Sequence, residues 1–331
     1  MKQRKPFSAQ RFLWRTVCLA LAVILAGMLA MTGIFYRFLS QITDSSDAPF
    51  LSGGFTAQEL KSFADPSDVN WQQLGSDVRS GTDDVVNLLL IGQDRRENEK
   101  VSRADSILLC SFRKDTKQLT MTSFLRDLYV PIPGHRSDRI NAAYAYGGSA
   151  LLKQTLTENF EVPIAGVIEV DFSQFSQLID ILGGVEIELR KDEAALVNRE
   201  TGSNLSEGKQ LLTGVQALCY SRIRKLDSDG DFSRTDRQRK VMTALVDGYR
   251  NAGLGTLMKL LKQVLPMLST DMSESRLLLL ALEVFPMLPE LSMSSQSIPA
   301  PGTYTDKTID GMAVLVADMD AARKLLQETA Q

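Results

Sequence analysis

The chain has 331 residues, 44% of them hydrophobic and 23% charged, an ordinary balance for a folded soluble protein of one or two domains. It contains no low-complexity tract and no repeat of about 20–50 residues, which excludes solenoids and propellers. Six of its 37 Lys and Arg residues fall in the first 43 positions, where there is no Asp or Glu; the remaining 31 basic residues face 40 acidic ones, so the bulk of the chain is a poor general binder of nucleic acid or anionic lipid.

Residues 16–36 contain no charged side chain and are mostly Leu, Ala, Val, Ile, Met and Phe. A run of about 20 apolar residues is what a helix needs to cross the hydrocarbon core of a bilayer. Lys2, Arg4, Lys5, Arg11 and Arg15 precede it, and the positive-inside rule places residues 1–15 in the cytoplasm and the rest outside the cell membrane. A cleaved signal peptide fits less well, because its apolar region runs to about 7–15 residues and no small-x-small site follows before Arg37. Trp14 and Tyr36 stand at the ends of the run, where interfacial anchors belong. Residues 37–82, rich in Ser, Asp, Gly and Gln, read as an extracytoplasmic stalk with a short amphipathic piece at 57–63, and residues 83–331 as one folded domain.

Within that domain, the apolar run 86–91 ends in Gly92, the pattern of a buried strand. Runs 106–112 and 119–124 flank the polar turn Lys114-Asp115-Thr116-Lys117 and predict a hairpin. A helix is expected at 150–159, a strand at 167–170, a helix at 172–182 and a strand at 185–189 after Gly183-Gly184. Helices follow at 211–220, 236–249, 254–268 and 274–284, then a strand at 291–298 and a closing helix at 319–328. Strands alternating with helices predict an α/β layer fold with a mixed sheet.

The only histidine, His135, lies in a Pro-Gly-rich loop, which removes a Ser-His-Asp triad unless that residue serves. Cys18 falls in the apolar span, and Cys110 and Cys219 sit in apolar surroundings; their pairing is not readable from sequence, and no zinc-ligand spacing occurs.

Four polar segments stand at or near strand ends: Gly92-Gln93-Asp94-Arg95-Arg96, Arg103-Ala104-Asp105-Ser106, Phe124-Leu125-Arg126-Asp127, and the stretch from Tyr220 through Arg222, Arg224, Asp231 and Arg234 to Arg237-Gln238. Ligands of α/β folds bind at strand ends. Arginine suits phosphate because its planar fork donates two parallel hydrogen bonds, and carboxylates beside it can hold a divalent cation. Between Ser221 and Lys240 there are seven basic and four acidic residues in a domain that is acidic overall. Taken singly, each segment is equally a solvated charge run or a structural ion pair. Together they point to an anion site.

In this order the stretches VNLLLIGQDRR, RADSILL, TSFLRDLYVPIPG, DRINAAYAYGG, VIEVDFSQF, IDILGGVEIEL, GKQLLTGVQALCYSRIR and DGDFSRTDRQRKV resemble the LytR–CpsA–Psr family of bacterial cell-envelope proteins. The resemblance covers residues 85–249. It implies a three-layer α/β/α sandwich with a central mixed sheet, carried outside the cell membrane on one N-terminal helix. It also implies a magnesium-dependent (or manganese-dependent) phosphotransferase. The substrate would be an anionic glycopolymer, a teichoic acid, capsular or related polysaccharide, on a polyprenyl diphosphate carrier, and peptidoglycan the acceptor of the new phosphodiester. Nucleic acid is not an expected partner.

Carried over position by position, the resemblance assigns the metal to Asp94 and Asp105. It assigns the diphosphate to Arg103, Arg126, Arg222, Arg224, Arg234 and Gln238, and the chemistry to Arg126, Asp105 and Asp231. Gln93 and Arg95 depart from the small polar residues common there in the family. An apolar tunnel for the prenyl chain could draw on Phe172, Phe175, Leu178, Ile179 and Leu182, for each of which core packing is the plainer expectation. Two other functions use the same residues: a non-catalytic polyprenyl-phosphate-binding or envelope-regulatory module, and a polyprenyl diphosphate phosphohydrolase.

Overall fold

The computed structural model describes residues 84–93 and 104–331. The expected span at 16–36, the basic tail, the stalk, Asp94 and Arg103 lie outside the described residues. Among those described, no helix is long and apolar enough to cross a membrane.

The described chain runs β1 (Val85–Gln93), β2 (Ala104–Arg113), β3 (Gln118–Phe124), β4 (Tyr129–Val130), β5 (Asp138–Arg139), α1 (Ile140–Phe160), β6 (Gly166–Asp171), α2 (Phe172–Ile181), β7 (Val185–Leu189), α3 (Lys191–Thr201), β8 (Gly208–Leu212), α4 (Gly214–Ser221), α5 (Asp231–Tyr249), α6 (Leu254–Val264), β9 (Ser269–Thr270), α7 (Glu274–Val284), β10 (Ser292–Ile298), β11 (Tyr304–Ile309), β12 (Met312–Ala317) and α8 (Met319–Ala330). Pro266 and Pro286 open short 3-10 turns that end α6 and α7, since proline cannot continue the hydrogen-bond ladder.

A six-stranded sheet of order β10-β3-β2-β1-β6-β9 forms the centre. The β1–β2 and β2–β3 pairs are antiparallel and the β1–β6 and β3–β10 pairs parallel, so the fold is mixed α/β with a mixed sheet. The near-continuous apolar runs of β1 and β2 suit strands covered on both faces. On one face Leu89, Ile91, Ile107, Leu109 and Phe124 pack against Leu152, Leu156 and Phe160 of α1 and Leu326 of α8. On the other, Val86, Leu88 and Ile168 meet Leu277 and Leu280 of α7, while Phe112 and Leu119 meet Val246 of α5 and Leu257 of α6. Leu88, Leu90, Ile168 and Val170 stay only half-buried on this second face, a strip whose register leads up to Ser106. Buried Asn87 ties the sheet to α8 by donating Nδ2 to the carbonyls of Pro163 at 2.9 Å and Ala330 at 2.8 Å.

A second core lies beside the sheet. The alternating Val185, Ile187 and Leu189 of β7 pair with β8 in a separate two-stranded sheet and pack on Val197 of α3, Ala217 and Tyr220 of α4 and Val241 of α5. The helix expected at 211–220 is therefore shorter. Leu211 and Leu212 close β8, and α4 starts at Gly214 behind a Thr213–Gln216 capping box. Helix α3 was not expected, because its apolar stripe is short: Ala194 and Val197 are buried, with Leu196 beside them, in an otherwise polar stretch. The β11–β12 hairpin was not expected either, although its turn residues Asp310 and Gly311, both at positive φ, make a hairpin dipeptide. Helix α1 begins ten residues before the expected start and is broken at Gly147 and Gly148, the latter at φ 66°. Helix α2 follows β6 without a loop because Asp171 ends the strand and caps the helix through Gln174. Cys110 and Cys219 are both free, and burial pushes the Cys110 thiol up to about 12.

Close packing at the α4 start gives a stability test. A Cβ on Gly214 would lie 1.9 Å from the Ser176 carbonyl oxygen, whereas one on Gly248 in α5 would meet nothing within 4 Å. Gly214→Ala is expected to lower unfolding free energy by about 1–3 kcal/mol, and Gly248→Ala to raise it by about 0.4–1 kcal/mol, in denaturant titrations.

Candidate functional site

The site begins with an irregularity. Residues of β1 and β2 pair one to one as far as Gly92 with Ser106, then Gln93 pairs with Ala104, leaving Asp105 as the extra residue of a bulge. Bulges re-aim side chains at sheet ends. Across the sheet end, the turn after β3 presents Arg126 and Asp127 between two buried leucines. Leu125 donates its N–H to the Ile298 carbonyl at 2.9 Å and Leu128 to the Leu125 carbonyl at 3.0 Å, while Leu315 of β12 donates to the Asp127 carbonyl at 2.9 Å.

Arg126 Nη1 donates to Asp105 Oδ1 at 3.0 Å, and its Nε lies 3.8 Å from both Asp127 and Asp231. Arg224 Nη2 approaches the same Asp105 oxygen at 4.0 Å. Arg139 donates to Asp127 at 3.2 Å. The first turns of α5 complete the group. Arg234, buried, grips both oxygens of Asp231 at 2.9 and 3.0 Å, and Gln238 Oε1 accepts from Ser106 Oγ at 2.9 Å. Phe232 stacks on Tyr304 of β11 at 5.4 Å between ring centroids and so braces that helix start.

The charges are strained against one another. Burial, and next the like charge of Arg126, hold Arg224 below the ordinary guanidinium range. Burial holds the Asp231 carboxyl above its ordinary range although Arg126 and Arg224 oppose it. The Nε atoms of Arg126 and Arg234 are buried with no hydrogen-bond partner. Arg126 and Arg224, which converge on one carboxylate oxygen, are suited to a second anion with several oxygens, such as a diphosphate.

One carboxylate oxygen of the group is open to a hard divalent cation. Asp105 receives both arginines on Oδ1, and no described residue donates to its Oδ2. Among the described residues no group of three His, Cys, Asp or Glu is arranged to hold a metal. Magnesium does not need one, since it is commonly held by one or two carboxylates with water and substrate phosphates.

Of the expected residues, Asp105, Arg126, Arg224 and Asp231 come together, with Arg234 and Gln238 next to them on α5. Arg222 is exposed and lies over the Phe172 ring, 4.5 Å from its centroid. Asp94 and Arg103 fall outside the described residues. Ile179 and Phe175 belong to the second core, as packing residues. Three partners were not expected: Asp127 as the acceptor for Arg139, Arg139 itself, and Ser106 as the donor to Gln238. Asp127 is adjacent to Arg126, but no spacing in the sequence points to Arg139.

Residues 56–331 match the LytR_cpsA_psr family. A polyisoprenyl-teichoic acid–peptidoglycan teichoic acid transferase, TagU, of Oceanobacillus iheyensis is 39% identical over 170 residues, covering 50% of this chain and 51% of TagU, so the match spans about half of that relative's length. Regulatory protein MsrR of Staphylococcus aureus is 32% identical over 256 residues, 75% of each chain. Among solved structures, LytR-CPS2A-psr family protein YwtF (TagT) with bound octaprenyl pyrophosphate lipid superposes with a TM-score of 0.59 at 27% identity, covering 75% of this chain and 90% of that one.

Arg126→Ala tests the electrostatics directly. A carboxyl whose folded pKa exceeds its unfolded value favours folding at low pH and loses that contribution as pH rises through the folded value. Arg126 restrains this rise at Asp231, so removing it enlarges the effect. The variant is expected to match the parent near pH 4 and fall about 1–2 kcal/mol behind it by pH 7, read from denaturant midpoints across that range.

Proposed function

The chain belongs to the LytR–CpsA–Psr family, and from that premise we propose that it is a cell-envelope transferase. It moves an anionic glycopolymer, a teichoic acid, capsular or related polysaccharide, from a polyprenyl diphosphate carrier to peptidoglycan, leaving a phosphodiester link. The observation that carries this reading is the convergence of Arg126 and Arg224 on Asp105 at the sheet end. The transferase name of TagU and the octaprenyl pyrophosphate lipid bound to YwtF (TagT) support it.

In this reading Arg126, Arg222, Arg224 and Arg103 hold the diphosphate oxygens. Arg234 braces Asp231, and Gln238, its carbonyl already bound to Ser106, has its amide N–H groups left for the diphosphate. The acceptor sugar hydroxyl oxygen attacks the phosphorus that bears the glycopolymer. The bond from that phosphorus to the bridging oxygen breaks, and polyprenyl monophosphate leaves. The hydroxyl proton passes to Asp231, a carboxylate whose raised pKa makes it a better base than an exposed one. Such transfers depend on positioning and on neutralising developing charge. A magnesium ion, or manganese, held by Asp105 and Asp94 would add to that neutralisation when bound.

Residues 16–36 anchor the protein in the cell membrane with residues 1–15 inside, residues 37–82 form a stalk, and the catalytic domain from residue 83 faces outward. A three-layer α/β/α arrangement is supported by apolar clusters on both faces of the sheet. The half-buried strip of Leu88, Leu90, Ile168 and Val170 is where a prenyl chain would lie. The name of MsrR favours a second reading, a regulatory module that binds the lipid without turnover.

The test uses the full chain in detergent with a short-chain prenyl diphosphate-linked glycopolymer, a peptidoglycan fragment and magnesium, followed by mass spectrometry. A phosphodiester-linked product is expected, abolished by EDTA and reduced at least about a hundredfold in Arg126→Ala. Donor cleaved without linkage makes the protein a phosphohydrolase. Donor bound without any product makes it a binding module.

A further inference from the structure

One buried ionic network takes no part in the chemistry above. Arg237 of α5 has a side chain only 4% exposed. Its Nε donates to Glu193 Oε1 at 2.8 Å, its Nη1 to the Ile223 carbonyl at 3.3 Å, and its Nη2 to Asp227 Oδ2. Arg190 closes the outer side. Its Nη1 donates to Asp227 Oδ1 at 2.7 Å, and its backbone N–H to Glu193 Oε2 at 3.0 Å.

The position of this network matters. The Ile223 carbonyl lies between Arg222 and Arg224, in a stretch from Arg222 to Gly230 that forms neither helix nor strand. Such a stretch has no ladder to set its path. Two carbonyls of α4 accept the N–H groups of Arg222 and Ile223 at 3.2 Å, and the Ile223 side chain is buried in the second core. After Ile223, Leu226 packs on the same core, and Arg237 with Asp227 supplies the polar restraint nearest Arg224. Stability alone does not call for ions here, because a buried ion pair is commonly matched by apolar residues of similar volume. A guanidinium adds what apolar packing lacks: donors of fixed direction toward one backbone carbonyl and two carboxylates.

We propose that Arg237, clamped between Glu193 and Asp227, is a positioning residue that sets where Arg224 presents its guanidinium and thereby the affinity for the diphosphate. The proposal rests on the reading of Arg224 as a diphosphate ligand. Arg190 first, and then Arg237, hold the Asp227 carboxyl below its ordinary range, so the clamp stays charged at neutral pH.

The experiment titrates farnesyl diphosphate with magnesium into the full chain in detergent by calorimetry, with a melting curve for each variant. Arg237→Ala leaves Glu193 buried without its partner and is liable to unfold, so Asp227→Asn carries the test: it keeps the Arg237–Glu193 pair and weakens only the bonds of Asp227 to Arg237 and Arg190. Arg224→Ala and Asp227→Asn are each expected to weaken binding about tenfold, with Asp227→Glu restoring most of the affinity. Asp227→Asn that is folded and binds like the parent, beside a weakened Arg224→Ala, overturns the clamp and leaves the diphosphate reading standing. Unchanged binding in Arg224→Ala removes the diphosphate reading and the clamp with it.

Discussion

A guanidinium drawn partly out of water needs anions around it, and the fold sets that of Arg126 among Asp105, Asp127 and Asp231. Most of what surrounds the site follows from that requirement. The carboxylates come from three separate parts of the chain, so the bulge in β2, the turn after β3 and the start of α5 must meet at one point. The turn is held by what flanks it: Leu125 and Leu128 are buried, and their backbone bonds run to Ile298 and within the turn itself. A charged group placed between two buried leucines has little freedom to withdraw. Arg224 then approaches the same Asp105 oxygen, and with Arg139 and Arg234 four guanidiniums stand against three carboxylates, a surplus that a further anion would relieve.

Helix α5 joins the two cores and carries much of the polar machinery. Asp231, Arg234 and Gln238 recur at helical spacing and point toward the strand ends. Arg237 turns instead toward α3 and the loop before the helix. Val241 and Val246 further along anchor the helix in the second core and against the sheet respectively. A rigid element spanning both bodies keeps the loop that bears Arg222 and Arg224 in register with the sheet that bears Asp105.

Legibility varied with the range of the interaction. The strand at Val85–Gln93 and the hairpin of β2 and β3 were readable because a strand buried on both faces is an apolar run bounded by turn residues. The arginines and carboxylates were readable because they cluster at such strand ends. Asp105 was named, yet its status as the unpaired residue of a bulge was not, since a bulge is a property of two strands together. The Arg139–Asp127 and Arg237–Glu193 pairs were hidden for the same reason: each joins parts of the chain that approach only after folding, and Glu193 lies 44 residues from its partner. Helix α3 was missed because its helical cap and packing, not its composition, define it.

By itself the sequence determined the mixed α/β class of the fold, because apolar periodicity is a local property, and its ordered motifs carried the resemblance to the family. Which arginines share a carboxylate, which are spent on structure and which keep free donors was decided only by tertiary structure. Arg234 and Arg237 lie in one helix three residues apart, and their side chains are equally charged. One braces Asp231 and the other is locked to Glu193 and Asp227. The difference arises from burial and from partners supplied by distant segments, quantities that exist only once the chain has packed.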